Sequence, residues 1–239
     1  LLPDKNGVVT WLRVVGLEQG YWGGDGEWKD VLRRLGVDSK DIPMKGEWES
    51  YDDYQDEQKI WDPSGEKGAA FEAAGRRLWT EKEEPQVAKY LRKEAGALAK
   101  LRAIAAGEGW YAPVLRFSDP TDGDMFDSLK EAGQALAAEG TLAFGRGNFD
   151  LYFEDVQAEM RLARKVGDSV VLRPLLVAWL MEEQGDRALG AGLGSGRCTR
   201  PQLARIRALL VSMPPVPGLL ECVDRRYRWQ VLDSVESIE

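Results

Sequence analysis

Residues 136–150, Leu-Ala-Ala-Glu-Gly-Thr-Leu-Ala-Phe-Gly-Arg-Gly-Asn-Phe-Asp, decide the fold class. Reading backwards from them, small or apolar residues recur at helical spacing at Leu129, Gly133, Leu136, Gly140 and Phe144. Reading forwards, Phe153, Val156, Met160 and Ala163 do the same after the turn Gly147-Asn148-Phe149-Asp150. Two helical stripes separated by glycine and asparagine predict a helical hairpin. The pattern continues towards the C-terminus. Val170 to Leu189 is apolar nearly all round over residues 175–181, which predicts a central helix with Leu176, Trp179 and Leu180 buried. Arg173 and Glu182-Glu183 flank it too closely for a membrane span, which needs about 20 apolar residues. Thr199 with Gln202 three positions later opens another helix, with Leu203, Ile206, Leu210 and Met213 as its buried stripe and Pro214-Pro215 as its end. A last helix carries Leu220, Val223, Tyr227, Val231, Val235 and Ile238 on one face.

Gly140, Phe144 and the Gly-Asn-Phe-Asp turn resemble a tetratricopeptide repeat, in which small residues let paired helices approach closely. The resemblance implies an irregular, TPR-like α-solenoid. The chain departs from that repeat at Tyr152 and Glu159, where the second helix would carry small residues. The longer string at 136–150, the Arg161-Leu162-Ala163-Arg164 after it and the Leu203–Leu210 helix before the prolines resemble uncharacterised helical proteins of planctomycetes and related bacteria. That resemblance spans roughly Gln86 to Ile238, with a weaker echo at Asn6 to Leu17, and brings no catalytic residues with it. In those proteins a signal sequence or membrane anchor usually precedes the helical domain. It therefore implies an exported, periplasmic or cell-envelope protein whose anchor has been removed upstream of Leu1.

The N-terminal third follows a different pattern. Val8, Trp11, Leu12, Val15 and Gln19 outline one helix, and Trp28, Val31, Leu32 and Leu35 a second. An acidic-aromatic insertion at 37–64 then breaks the periodicity, and Trp48, Tyr51, Tyr54 and Trp61 alternate with acids in what reads as a long loop. Such rings either clamp the loop onto the helices or meet a protein or glycan partner, since Trp and Tyr supply large contact area at low entropic cost. Eight acids lie between Asp38 and Glu57 against two lysines, whereas seven arginines lie between Arg197 and Arg228 against two acids. Opposed patches favour head-to-tail contact, so the candidate partner-binding residues are Trp48, Tyr51, Tyr54, Trp61, Arg225, Arg226 and Arg228. Between Glu66 and Ala105 two more helices return. Pro85 opens the longer one, whose stripe of Val87, Leu91, Leu98, Leu101 and Ala105 is interrupted by Glu94.

Several chemistries are excluded outright. With 32 basic and 40 acidic residues the net charge is −8, which argues against nucleic acid or anionic lipid as a partner. The chain has no histidine, which removes serine-histidine triads, HExxH zinc sites and histidine-ligated haem. Cys198 and Cys222 begin successive helices too far apart to bridge, so both are expected as free thiols. Gly190–Gly196 reads as a flexible connection, and Asp119–Asp124 as a solvated turn whose calcium-loop positions 1 and 12 fall on Ser118 and Leu129. No metal or cofactor is expected. The chain thus reads as one mainly α domain over residues 1–239, with about nine helices in stacked antiparallel hairpins and negligible sheet. Its expected role is a non-catalytic interaction or scaffold subunit of the bacterial cell envelope, in a larger assembly with a protein partner or further copies of itself. The alternative is a carboxylate-dependent enzyme or binding protein acting on polysaccharide.

Overall fold

Asn148 divides the two longest-patterned helices. A computed structural model describes residues 5–19, 32–58, 68–107, 109–110, 123–168, 172–215, 218–221, 223–224 and 228. In it the Asn148 side chain accepts the Leu151 N–H at 3.2 Å and caps the second of the two helices. In chain order the helices are α1 Gly7–Gln19, α2 Tyr51–Glu57, α3 Ala69–Ala74, α4 Pro85–Lys93, α5 Ala95–Ala106, α6 Gly123–Gly145, α7 Phe149–Gly167, α8 Leu172–Gly194 and α9 Arg200–Ser212. Residues 32–35 and 39–41 add short helical turns. Among the described residues there is no strand, only an isolated bridge between Asn6 and Gly109. The chain is mainly helical, as its periodicity predicts.

Helices α6, α7 and α8 each pack on the other two, α5 lies on α7, α1 on α5 and α6, α3 on α6, and α9 on α7. Glycines set how closely the three long helices approach. A methyl group built on Gly133 of α6 would lie 3.1 Å from the Met181 side chain of α8, and one on Gly140 would lie 3.2 Å from Asp155 of α7. From α8, Gly185 faces Met160 at 3.1 Å, and Gly192 faces the Tyr152 hydroxyl at 2.2 Å. Tyr152 and Glu159, which depart from the repeat pattern, are thus accommodated by missing side chains, Tyr152 at Gly192 and Glu159 at Gly133 and Gly185. The Tyr152 hydroxyl then donates to the Ala188 and Leu189 carbonyls, 3.2 Å from each. This use of Gly192 explains why α8 runs to Gly194, through the glycine-rich stretch expected as a flexible connection.

Three other expectations are corrected. The insertion is not structureless, because Ser50 accepts the Asp53 N–H at 3.0 Å and starts α2, whose Tyr51 and Tyr54 share its buried side. The helix expected to run from Pro85 to Ala105 breaks at Glu94 into α4 and α5. Helix α8 is buried on one face only. Its inner face is Leu175, Ala178, Met181, Gly185 and Ala188, while Leu176 and Leu180 are each 46% exposed and Trp179 is half-buried. An all-round apolar helix carries no sequence signal for which side faces in, and the glycine positions choose it here.

The insertion is fastened to α1 by backbone. Gly16 has φ 77°, a left-handed conformation that kinks α1 and that only glycine adopts at little cost. The kink turns the Val14 carbonyl outward, where it accepts the N–H groups of Glu47 at 2.7 Å and Trp48 at 3.0 Å. Gly46 sits against this kink so closely that a side chain on it would strike the Val14 carbonyl at 2.1 Å.

Candidate functional site

Trp48, Tyr51 and Tyr54 are buried in a ring cluster that joins four helices and the loop. Trp48 meets Trp11 of α1 with ring centroids 6.0 Å apart, and Tyr51 stacks on Phe71 of α3 at 4.8 Å and meets Tyr90 of α4 edge-on at 5.1 Å. Tyr90 Oη donates to the Glu49 carbonyl at 2.9 Å, and Glu131 of α6 accepts the Tyr51 N–H at 2.6 Å. These rings clamp the insertion onto the helices and leave no area for a partner to hold. Trp61, Arg225 and Arg226 lie outside the described residues. Arg228 is exposed and pairs with Asp224 at 2.9 Å. Of the described candidates, Trp48, Tyr51 and Tyr54 are therefore brought together as core.

Two carboxyl groups flank the ring cluster. Burial raises Glu94 to about 7, and although the Glu49 backbone N–H faces it and lowers the value, neither carboxyl oxygen closes a hydrogen bond. Burial likewise raises Glu131 to about 7, against the hydrogen bond from Tyr51 and with the charges of Asp52 and Asp53 adding to the rise. A second group of acids sits in the helical seam. Arg102 of α5 donates from Nε to Asp155 at 2.6 Å and from Nη2 to Glu139. Burial raises both carboxyls, because one guanidinium cannot neutralise two. One turn beyond Asp155, Glu159 is fully buried between Gly133 and Gly185 with neither carboxyl oxygen hydrogen-bonded. Desolvation first, then the charges of Asp155, Glu182 and Asp186, push its pKa well up, so the fold favours its neutral form.

The exposed apolar side chains are concentrated in one part of the chain. Of the ten large ones among the described residues, Met44 alone precedes residue 176, so the apolar surface belongs to α8, α9 and the segment C-terminal to α9. Leu203 and Leu210, expected in a buried stripe with Ile206, are 43% and 45% exposed, and Val211 is 78% exposed. Ile206 and Leu209 provide the buried side of α9, against Phe149, Tyr152 and Phe153. Arg205 holds that contact by pairing with Asp150 at 2.5 Å and lying 4.1 Å over the Phe153 ring. Arg164 secures the other end, forking onto Glu182 at 2.6 and 2.8 Å and donating to the Pro214 carbonyl at 2.8 Å. Gln202 accepts the Thr199 N–H at 2.8 Å, as its spacing predicts. Arg200 and Arg207 are exposed and make no ion pair. The result is a firmly seated helix whose outer face combines leucine, valine and two unpaired arginines. The arginine run showed this in the sequence, but the exposure of Leu203 and Leu210 did not follow from spacing.

Among the described residues no three carboxylate or thiol groups converge as metal ligands. Cys198 is a free thiol with its Sγ 3.7 Å from the Gly192 carbonyl, and burial raises its pKa. Cys222 and Asp119–Asp122 lie outside the described residues. A groove of about 190 Å³ between α5 and α7 is lined by Arg102, Glu154, Gln157 and Arg161, and one of about 90 Å³ by Glu72, Gln134, Leu180 and Glu183. Neither joins paired carboxyls to a Trp or Tyr ring. Among the described residues no helix is long and apolar enough to cross a membrane. No protein-family model matches the chain, and neither a curated protein nor a solved structure does.

Proposed function

We propose that the chain is a non-catalytic interaction and scaffold protein, a subunit of a larger assembly, whose contact surface is the outer face of α9 and the segment after it. The observation that carries this reading is the concentration of exposed Leu, Val and unpaired Arg on a helix whose inner face is firmly anchored. Contiguous exposed apolar surface on a rigid element is characteristic of an interface. The finer architecture belongs to the same proposal. The antiparallel α6–α7 hairpin, with α8 packed on both helices and α9 on α7, is the opening of an irregular TPR-like solenoid. Placement in the bacterial cell envelope rests on the resemblance of residues 136–150 to planctomycete proteins.

A photo-crosslinking residue placed at position 210 in source cells tests the contact surface, with the exposed position 82, outside α9, as a control. The proposal expects a discrete adduct from position 210 and none from position 82. Equal labelling at both positions, or no adduct from position 210, would refute it.

A further inference from the structure

We infer that the α9 face receives a second copy of the same chain, docked through its acidic segment at residues 38–57. The inference rests on the reading of α9 as a contact surface and names its occupant.

Charge decides between the ways two copies could meet. A symmetric contact of two α9 faces would set Arg200 and Arg207 against their own counterparts, and like charges across an interface are repulsive. The complementary chemistry is present elsewhere on the same molecule. Asp41, Asp52 and Asp53 are exposed and make no ion pair, and among them Met44 is 58% exposed. It is the one large apolar side chain before residue 176, among those described, that folding leaves uncovered. This segment is held in place before any partner arrives, by the two bonds to the Val14 carbonyl, the Ser50 cap and the buried rings. Such preorganisation lowers the entropic cost of docking. Its side chains belong to the larger core, which runs from α1 through α6 into α7 and α8, whereas α9 belongs to the smaller core of Phe144, Phe149, Tyr152 and Phe153. Each copy therefore has two different faces of complementary charge. Contacts of that kind are heterologous, and they add copies in series unless a face is blocked.

Two variants separate the faces: Asp41→Lys with Asp52→Lys removes the acidic face, and Arg200→Glu with Arg207→Glu removes the basic one. Sedimentation velocity of the intact chain is expected to show association that grows with concentration and falls as salt is added. Each variant alone should associate at least about tenfold more weakly, because each retains one face and lacks its complement. An equimolar mixture of the two should recover association, because the native faces and the reversed faces are each complementary between the variants, and a chain carrying all four changes should recover it as well. Circular dichroism of every variant checks that folding is unchanged. A monomeric parent, a monomeric mixture, or a variant that still dimerises alone would each overturn the inference. If the parent is monomeric while position 210 crosslinks in cells to a protein of different mass, the contact surface stands and the second copy does not.

Discussion

Glu159 loses its water on folding and meets no donor, so the fold favours its protonated form and its ionisation opposes the fold. Glu94 and Glu131 act in the same direction with defined windows. In the unfolded chain they release protons near the ordinary 4.5, and in the fold near 7. Below about 4.5 both states hold the proton and the contribution of burial is intact. Between about 4.5 and 7 only the unfolded chain ionises, so each group removes about 1.4 kcal/mol of stability per pH unit, and above 7 that loss is complete. Glu159, raised well above its ordinary range, adds to the decline as pH rises above about 4.5. Urea titrations of Glu159→Gln and the parent should therefore diverge as pH rises from 5 to 9, with the variant progressively the more stable. Parallel profiles would show that Glu159 ionises without cost. The buried rings predict a simpler effect. Trp48→Ala opens a cavity beside Trp11 and Tyr90 and should cost about 3–5 kcal/mol in the same titration. A loss below about 1 kcal/mol would mean the insertion is not clamped by its rings.

Glycines on α6 and α8 give the seam between the three long helices its shape, and two of them on one helix provide a matched test. Gly192→Ala would place a methyl group 2.2 Å from the Tyr152 hydroxyl, whereas Gly190 has nothing within 4 Å. The first should destabilise by about 1–3 kcal/mol through overpacking. The second should stabilise by about 0.4–1 kcal/mol, since alanine lowers the entropy of the unfolded chain and favours the helix. Thermal melts of the two variants with the same sign would contradict the seam. Much of this level was readable beforehand, because helical spacing and the Asn148 and Thr199 caps mark α6, α7 and α9 directly. Periodicity could not say that Tyr152 and Glu159 fill spaces left by glycines 26 to 40 positions away, as those pairings exist only in three dimensions. Nor could it orient α8, whose Leu176 and Leu180 are as apolar as its buried face. Helix α2 was missed because alternating rings and acids hid a serine cap with two tyrosines, three positions apart, directly after it.

Across the whole molecule, charge and apolar exposure are distributed unequally, with unpaired acids and Met44 early in the chain and unpaired arginines among leucines late in it. The charge half of that asymmetry was visible in the sequence; the exposure half required the fold, because Leu203 and Leu210 share helical spacing with buried Ile206. An assembly built on these faces should weaken as ionic strength rises, since exposed charges are screened within about 10 Å at 0.1 M salt. Leu210→Asp should abolish assembly while leaving the melting temperature nearly unchanged, because Leu210 is already 45% exposed. Arginine labelling with a dicarbonyl reagent, compared between the dilute purified protein and source cells, tests the contact surface most directly. The account predicts that Arg200 and Arg207 react in the purified protein and are protected in cells, while Arg161, which lines the groove between α5 and α7, reacts alike in both. Equal reaction of Arg200 and Arg207 in the two settings would contradict it.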